Sequence, residues 1–264
     1  MVYKFDSVAE YVRHLERAEV NSLFRPESCS SHGTSASRVK FTGSASFPAS
    51  VDLLRFGDAE NYKKVAAYRS NMRGGSDGVR RVQRLSVVGG SPCVGAYLAG
   101  HPAAMFDRVR QKFDGGKVVN ICVDTTFPWT IDAADIVKCG ANILAVVLGM
   151  EKKGYQVNLY ASCGAYAGGE EVVVLCRIKS AGVHVDAKKL AYPLVNPSFL
   201  RRSWFRLVET TPGLKSSRWP RSYGTCMDGE QLKKHVPAGC KFVQLWKHLK
   251  KTPDELERFL LAQK

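Results

Sequence analysis

Asp124-Thr125-Thr126-Phe127-Pro128-Trp129-Thr130 is the stretch whose residue types and position best suit chemistry. It follows an apolar run of strand length and precedes an apolar pattern of helical spacing. In open α/β sheets, ligands bind outside the carboxyl ends of the strands. A carboxylate there, Asp124, with a hydroxyl two positions on, Thr126, supplies hard oxygen donors of the kind Mg²⁺ prefers, with water completing the shell. The competing reading is that Asp124 caps a turn or the helix start and binds nothing. Metal-dependent chemistry on phosphates would need a second carboxylate beside Asp124, and Asp228 is the candidate.

Other reactive patterns are incomplete. Gly89-Gly90-x-x-x-x-Gly95 follows an apolar stretch, as a phosphate loop would, but lacks the Gly-Lys-Ser/Thr ending and the dinucleotide spacing. Pro92 and Cys93 fit a structural turn there. There is no Gly-x-Ser-x-Gly elbow. The histidines are scattered, and none pairs with a Ser or Cys in a recognisable catalytic order. The 8 cysteines include no C-x-x-C pair and no zinc spacing. Several sit in apolar runs, where reduced cysteine packs as a small hydrophobe.

The basic residues form two clusters. Arg69, Arg73, Arg80, Arg81 and Arg84 have only Asp77 among them as counter-charge. Arg201, Arg202, Arg206, Lys215, Arg218 and Arg221 are interleaved with Trp204, Phe205, Trp219 and Tyr223. Basic plus aromatic residues suit a surface that tracks a nucleic-acid backbone and stacks its bases. The alternative is a solvated basic face whose aromatics anchor a helix to the sheet. The formal net charge of +15 favours a polyanionic partner, nucleic acid above all.

These residues need elements to hold them. Ser7 and Glu10 form a capping-box pattern before a helix over Val8–Glu19. Residues 26–46 are rich in Ser, Gly and Thr, and Ser28–Ser35 reads as a loop. Helices are expected over Ala49–Phe56, stopped by Gly57, and over Ala59–Met72. Arg73–Gly78 breaks the chain before an extended stretch, Val79–Val88. Short helical turns are expected over Ala96–Leu98 and Pro102–Met105. Val118–Val123 is a near-continuous apolar run, the mark of a strand covered on both faces. Ile131–Lys153 follows as an apolar helix, then strands over Gln156–Ala161 and Glu171–Ile178. The Gly-rich junction Cys163–Glu170 is short enough for a hairpin, which would make one strand antiparallel. A helix over Phe199–Val208 starts near Pro197. A late strand spans Lys241–Trp246, and Thr252-Pro253-Asp254-Glu255 opens a last helix with a capping box.

Two resemblances extend this reading. Asp124-x-Thr126, the long helix ending at Gly154-Tyr155, and the strand Gln156–Tyr160 resemble the opening strand–helix–strand of a von Willebrand factor A-type domain. Such domains bind proteins through a metal held in a D-x-S-x-S loop. Here the third loop position is Pro128, so the resemblance implies a degenerate metal site. Lys40–Phe47, Leu53–Asp58, Val87–Val94 and Leu98–Pro102 resemble uncharacterised bacteriophage proteins that join such an N-terminal region to a von Willebrand A-like half.

The expected fold is therefore α/β, an open, doubly wound, mostly parallel sheet over residues 116–264. Residues 1–115 are expected to form a helical and irregular extension. The expected function is non-enzymatic binding or assembly with a protein partner. The alternative is sequence-independent nucleic-acid binding through Arg80, Arg81, Arg84, Arg201, Arg202, Arg206, Arg218, Arg221, Trp204 and Trp219. Mg²⁺ at Asp124 and Thr126 is the one cofactor considered. No run approaches the ~18 continuous apolar residues of a membrane span, and Met1-Val2-Tyr3-Lys4-Phe5-Asp6 lacks the apolar core of a signal peptide. A cytoplasmic site is expected, in the host for a phage product, or a place in the virion.

Overall fold

A computed structural model describes residues 1–25, 33–70, 81–110, 117–184 and 186–263. Its first element is one that periodicity does not announce. Val2–Phe5 (β1) pairs in parallel with a strand far along the chain, Val2 opposite Val173 and Phe5 opposite Cys176. Val8–Arg17 (α1) follows, burying Tyr11, Val12 and Leu15. Its cap is a variant of the expected box. Ser7 Oγ accepts from Glu10 N at 3.2 Å, but Glu10 Oε2 accepts from Asp6 N, at 2.8 Å, instead of from Ser7. Ala36–Thr42 (α2) is a helix just after the expected loop, and residues 26–32 of that stretch lie outside the described residues. Phe47–Phe56 (α3) is capped by Ser46 and ends at Gly57, whose φ is +89°. Ala59–Ser70 (α4) comes next.

Residues 81–110 form a small antiparallel sheet of their own. Arg81–Ser86 (β2) and Ser91–Pro92 (β3) flank Met105–Arg110 (β4), in the order β2-β4-β3. A short helix, Val94–Leu98 (α5), sits between. The expected helical turn over 102–105 is absent, since residue 105 already pairs in β4. The phosphate-loop pattern is a turn. Gly90 N donates to Phe106 O at 3.0 Å and Cys93 N to Ala104 O at 2.8 Å, so those amides are taken.

Val118–Asp124 (β5), Ala133–Lys152 (α6) and Gln156–Ala167 (β6) follow, then Glu170–Lys179 (β7). The hairpin is real and tight. Gly168 (φ +59°) and Gly169 (φ +85°) lie between β6 and β7, and positive φ at both central residues suits the twist of a two-residue hairpin. Ala187–Val195 (α7), with Pro193 inside it, went unread in the sequence. The helix expected from Phe199 opens as a π-helical turn, Phe199–Trp204, and continues as Phe205–Thr210 (α8). Trp219–Ser222 (α9), Thr225–Cys226 (β8), Gly229–Lys233 (α10) and Lys241–Gln244 (β9) lead to Pro253–Ala262 (α11). Both bonds of the Thr252–Glu255 capping box are made.

The main sheet has the order β1-β7-β6-β5-β9, with β8 alongside β6. Pairings β1–β7, β5–β6 and β5–β9 are parallel and β6–β7 is antiparallel. The fold is mixed α/β around a mostly parallel sheet. Val119, Ile121 and Val123 of β5 face the large core, while Cys122 faces a smaller one with Met227, Leu232 and Phe242. The two faces are covered unequally: α1, α6 and α7 lie against the strands on the large side, and α10 contributes Leu232 to the small one.

The expected boundary at 115/116 does not separate two cores. Phe5, Tyr11, Leu15, Phe47, Val51, Leu54 and Val65 join the same cluster as Ile121, Ile143 and Leu159. A chain that brings its own edge strand to the sheet cannot leave its first helices outside. One helix among the described residues, α6, is long and apolar enough to cross a membrane. Ile136, Ile143, Leu144, Val147 and Met150 of this helix are buried in the core.

Candidate functional site

The loop after β5 is stitched onto β6. Thr125 donates to Ser162 O from both its N–H (2.8 Å) and its Oγ1 (3.1 Å). Thr126 Oγ1 accepts from Gly164 N at 2.9 Å. Asp124 itself is 0% exposed. Its Oδ1 accepts from Thr126 N at 2.9 Å, and its Oδ2 accepts from Gln244 Nε2 at 2.8 Å. Gln244, at the end of β9, also donates to Met227 O at 3.2 Å, and its Oε1 is buried without a partner among the described residues. Gln244 escaped the sequence reading. The only signal for it is a polar residue closing an apolar strand, and what it meets there depends on β9 lying beside β5.

This arrangement does not fit the expected cation. Both Asp124 oxygens are engaged and shielded from solvent, the Thr126 hydroxyl accepts a backbone N–H, and Pro128 brings no side-chain oxygen. Asp228 is occupied elsewhere, capping α10 and paired with Lys247 at 2.5 Å. An octahedral Mg²⁺ needs oxygens that converge on one open position. No group of three or more His, Cys, Asp or Glu suited to a metal occurs among the described residues.

Burial is the largest influence on Asp124. It lifts the carboxyl from 3.8 to about 6, against the opposing pull of Thr126, Gln244 and the Lys247 charge. In the unfolded chain the group ionises at its ordinary value, so both states hold the proton at low pH and it adds no pH dependence there. As pH rises between the two values, the folded form keeps a proton that the unfolded form has lost, and stability falls. The full loss, above the folded pKa, is about 3 kcal/mol. In Asp124→Asn, a turned Gln244 amide can present its unpartnered Oε1 to the new Nδ2. Urea melts at about pH 4.5 and about pH 7.5 should show a drop near 2 kcal/mol in the wild type that the variant lacks.

Four of the residues expected on a nucleic-acid surface are interior instead. Arg201, Arg202, Trp204 and Trp219 are all buried. Arg201 donates to Phe41 O at 2.9 Å and lies over the Phe41 ring at 4.0 Å. Arg202 donates to Ser44 O at 2.7 Å and Ser44 Oγ at 3.1 Å. The half-buried Arg206 reaches Ala18 O at 3.0 Å, beyond the end of α1. Trp219 donates to Glu170 Oε2 at 3.0 Å. The arginines share a reason: carbonyls at helix ends lack partners within their helix, and a guanidinium with five donors can satisfy them from a distant element. Arg218 and Arg221 are exposed. The backbones of Arg81 and Arg84 run in β2, and Arg80 lies outside the described residues.

Cys93, Cys122, Cys139, Cys163, Cys176, Cys226 and Cys240 are free, and Cys29 lies outside the described residues. Burial raises the thiol pKa of Cys122, Cys163 and Cys176, which disfavours the nucleophilic thiolate.

Fold and site together define a mixed α/β protein with a sealed carboxylate at the sheet edge where ligands usually bind. The chain belongs to the family described as Domain of unknown function (DUF7192), whose model matches residues 1–251. No curated protein matches the chain, and no solved structure does.

Proposed function

We propose that this chain is a phage-type, non-enzymatic binding or assembly protein built on a von Willebrand A-like sheet with a degenerate metal site, acting in the host cytoplasm or the virion. The observation that carries this reading is the apolar surface beside the small sheet, on the loop after β2 and on α5. Val87, Val88, Val94, Tyr97 and Leu98 are strongly exposed there, Val88 and Leu98 at 79% each. Exposed apolar side chains gathered on one short segment are a mark of a protein-binding surface. The sealed Asp124 edge fits a binding role that does without an adhesion-type metal. The succession β5–α6–β6, with its strands parallel, supports the von Willebrand A-like reading.

The test is affinity purification of the tagged chain from infected cells, beside a Val88→Asp/Leu98→Asp variant. These side chains carry little of the core, so the variant's melting curve should match the wild type within about 0.5 kcal/mol. Partner proteins should be recovered with the wild type and lost with the variant. Recovery of the same proteins by both would overturn this face as the docking surface.

The second reading is sequence-independent nucleic-acid binding. The charge of +15 and the exposed Arg218 and Arg221 favour it. Loss of all partners after nuclease treatment would support it over the first.

A further inference from the structure

A second candidate site lies at the other end of the sheet. Strands β1 and β7 run opposite to β6, so their carboxyl ends lie at the edge away from Asp124. There, the first turn of α1, the end of α3, α7 and the end of β7 enclose a cleft of about 650 Å³. Val12, Leu54, Ile178 and Leu190 give it an apolar lining, and Arg13, Arg55, Arg177 and Lys189 surround that lining with positive charge.

The charge is only partly spent within the protein. Arg55 is paired with Glu16 at 2.6 Å. Arg177 donates to Asp6 O at 3.1 Å and lies 3.7 Å from Asp6 Oδ1. Asp186, the other acid of the cleft, is engaged in capping α7 through Lys188 N and Lys189 N. The side chains of Arg13 and Lys189 have no hydrogen bond or ion pair among the described residues. Ser7, Val8 and Ala9, the opening of α1, also line the cleft. Ser7 Oγ already holds Glu10 N, and the Glu10 carboxylate lies on Asp6 N, but Val8 N and Ala9 N have no partner among the described residues, and the start of a helix carries partial positive charge.

We propose that this cleft binds a nucleotide through its phosphate. The basic rim and the opening of α1 take the phosphate, and the apolar wall takes the base. The cleft volume is of the size that holds a whole small ligand, of order 300–1,000 Å³, far more than a bare phosphate needs. The exposed Asp6 carboxylate supplies an acceptor for sugar hydroxyls, a role acidic residues play in dinucleotide sites. The same chemistry has two sources, a free nucleotide and the phosphorylated end of a strand.

Calorimetry on the full chain separates them, with ATP, GTP, a 5′-phosphorylated oligonucleotide and its unphosphorylated twin as probes. Arg13→Glu/Lys189→Glu is the test variant, because both side chains are exposed and a melting curve checks the fold. Binding of ATP or GTP that the variant weakens by at least about tenfold supports a free nucleotide. Binding of the phosphorylated oligonucleotide alone, weakened likewise, supports a strand end. No binding of any phosphate-bearing probe, equal binding of the two oligonucleotides with no binding of ATP or GTP, or affinity for every phosphate-bearing probe unchanged in the variant would overturn the proposal.

Discussion

Replacing Gly140 by alanine is expected to destabilise the protein by about 3 kcal/mol or more, although the change improves the local helix. In an isolated helix interior, alanine is favoured over glycine by about 1 kcal/mol. Gly140, however, lies where α6 crosses α7. A Cβ there would meet Leu194 O at 2.0 Å, Leu194 C at 2.6 Å and Val195 Cα at 2.9 Å. All three are backbone atoms, so no side chain can swing away and the helices must separate. Overpacking a tight contact typically costs 1–3 kcal/mol and occasionally more; an overlap with backbone belongs at the upper end. Gly149, in the same helix, has open space around its missing Cβ. Gly149→Ala should therefore stabilise by about 1 kcal/mol. Urea melts of the two variants should move in opposite directions. A Gly140→Ala protein as stable as the wild type would show that α6 and α7 do not touch there.

Arg202→Met should cost about as much, for an electrostatic reason. The guanidinium is 0% exposed and holds the carbonyl and hydroxyl of Ser44, whose Oγ also lies 2.7 Å from Ser198 Oγ. Methionine keeps much of the side-chain bulk and supplies no donor. Ser44 O keeps a longer bond from Thr42 Oγ1 (3.3 Å) and Ser44 Oγ keeps Ser198, but two hydrogen bonds from a charged donor are lost at about 1.5–3 kcal/mol each, so a loss near 3 kcal/mol is expected in the melting free energy. The paired control is Arg218→Ala with Arg221→Ala, both on the surface. It should change stability by no more than about 0.5 kcal/mol. Under the nucleic-acid reading, the control alone should make the log–log salt slope of binding shallower, by up to about two units. A stable Arg202→Met protein with weakened DNA binding would return Arg202 to the surface.

Several elements were legible because their signals are local. The apolar β5, the helix after it and the β6–β7 hairpin follow from residue period and from Gly168-Gly169. The starts of α1 and α11 follow from capping residues within four positions of each other. Other elements left faint local traces. In β1, four residues gain their meaning only from a strand about 170 positions away. In α7, Pro193 argues locally against a helix that packing on α6 retains. The Ser/Gly/Thr-rich stretch contains α2, which no local signal announces and whose end Arg201 supports by donating to Phe41 O from across the fold.

The sequence by itself determined the succession of strands and helices, the strong positive charge and the absence of any complete catalytic motif. Tertiary structure alone decided where that charge went. Arg201, Arg202 and Arg218 are the same residue type in one stretch of chain, yet two are interior and one is in water. The difference is whether unpaired carbonyls from the first sixty residues arrive beside them, as Phe41 and Ser44 do. Asp124 follows the same rule. Its position after a strand is written in the sequence, but the Gln244 amide that partly compensates its burial is there only because β9 lies beside β5. A side chain's fate is set by the desolvation it suffers and the partners that compensate it, and in this fold those partners come from distant parts of the chain.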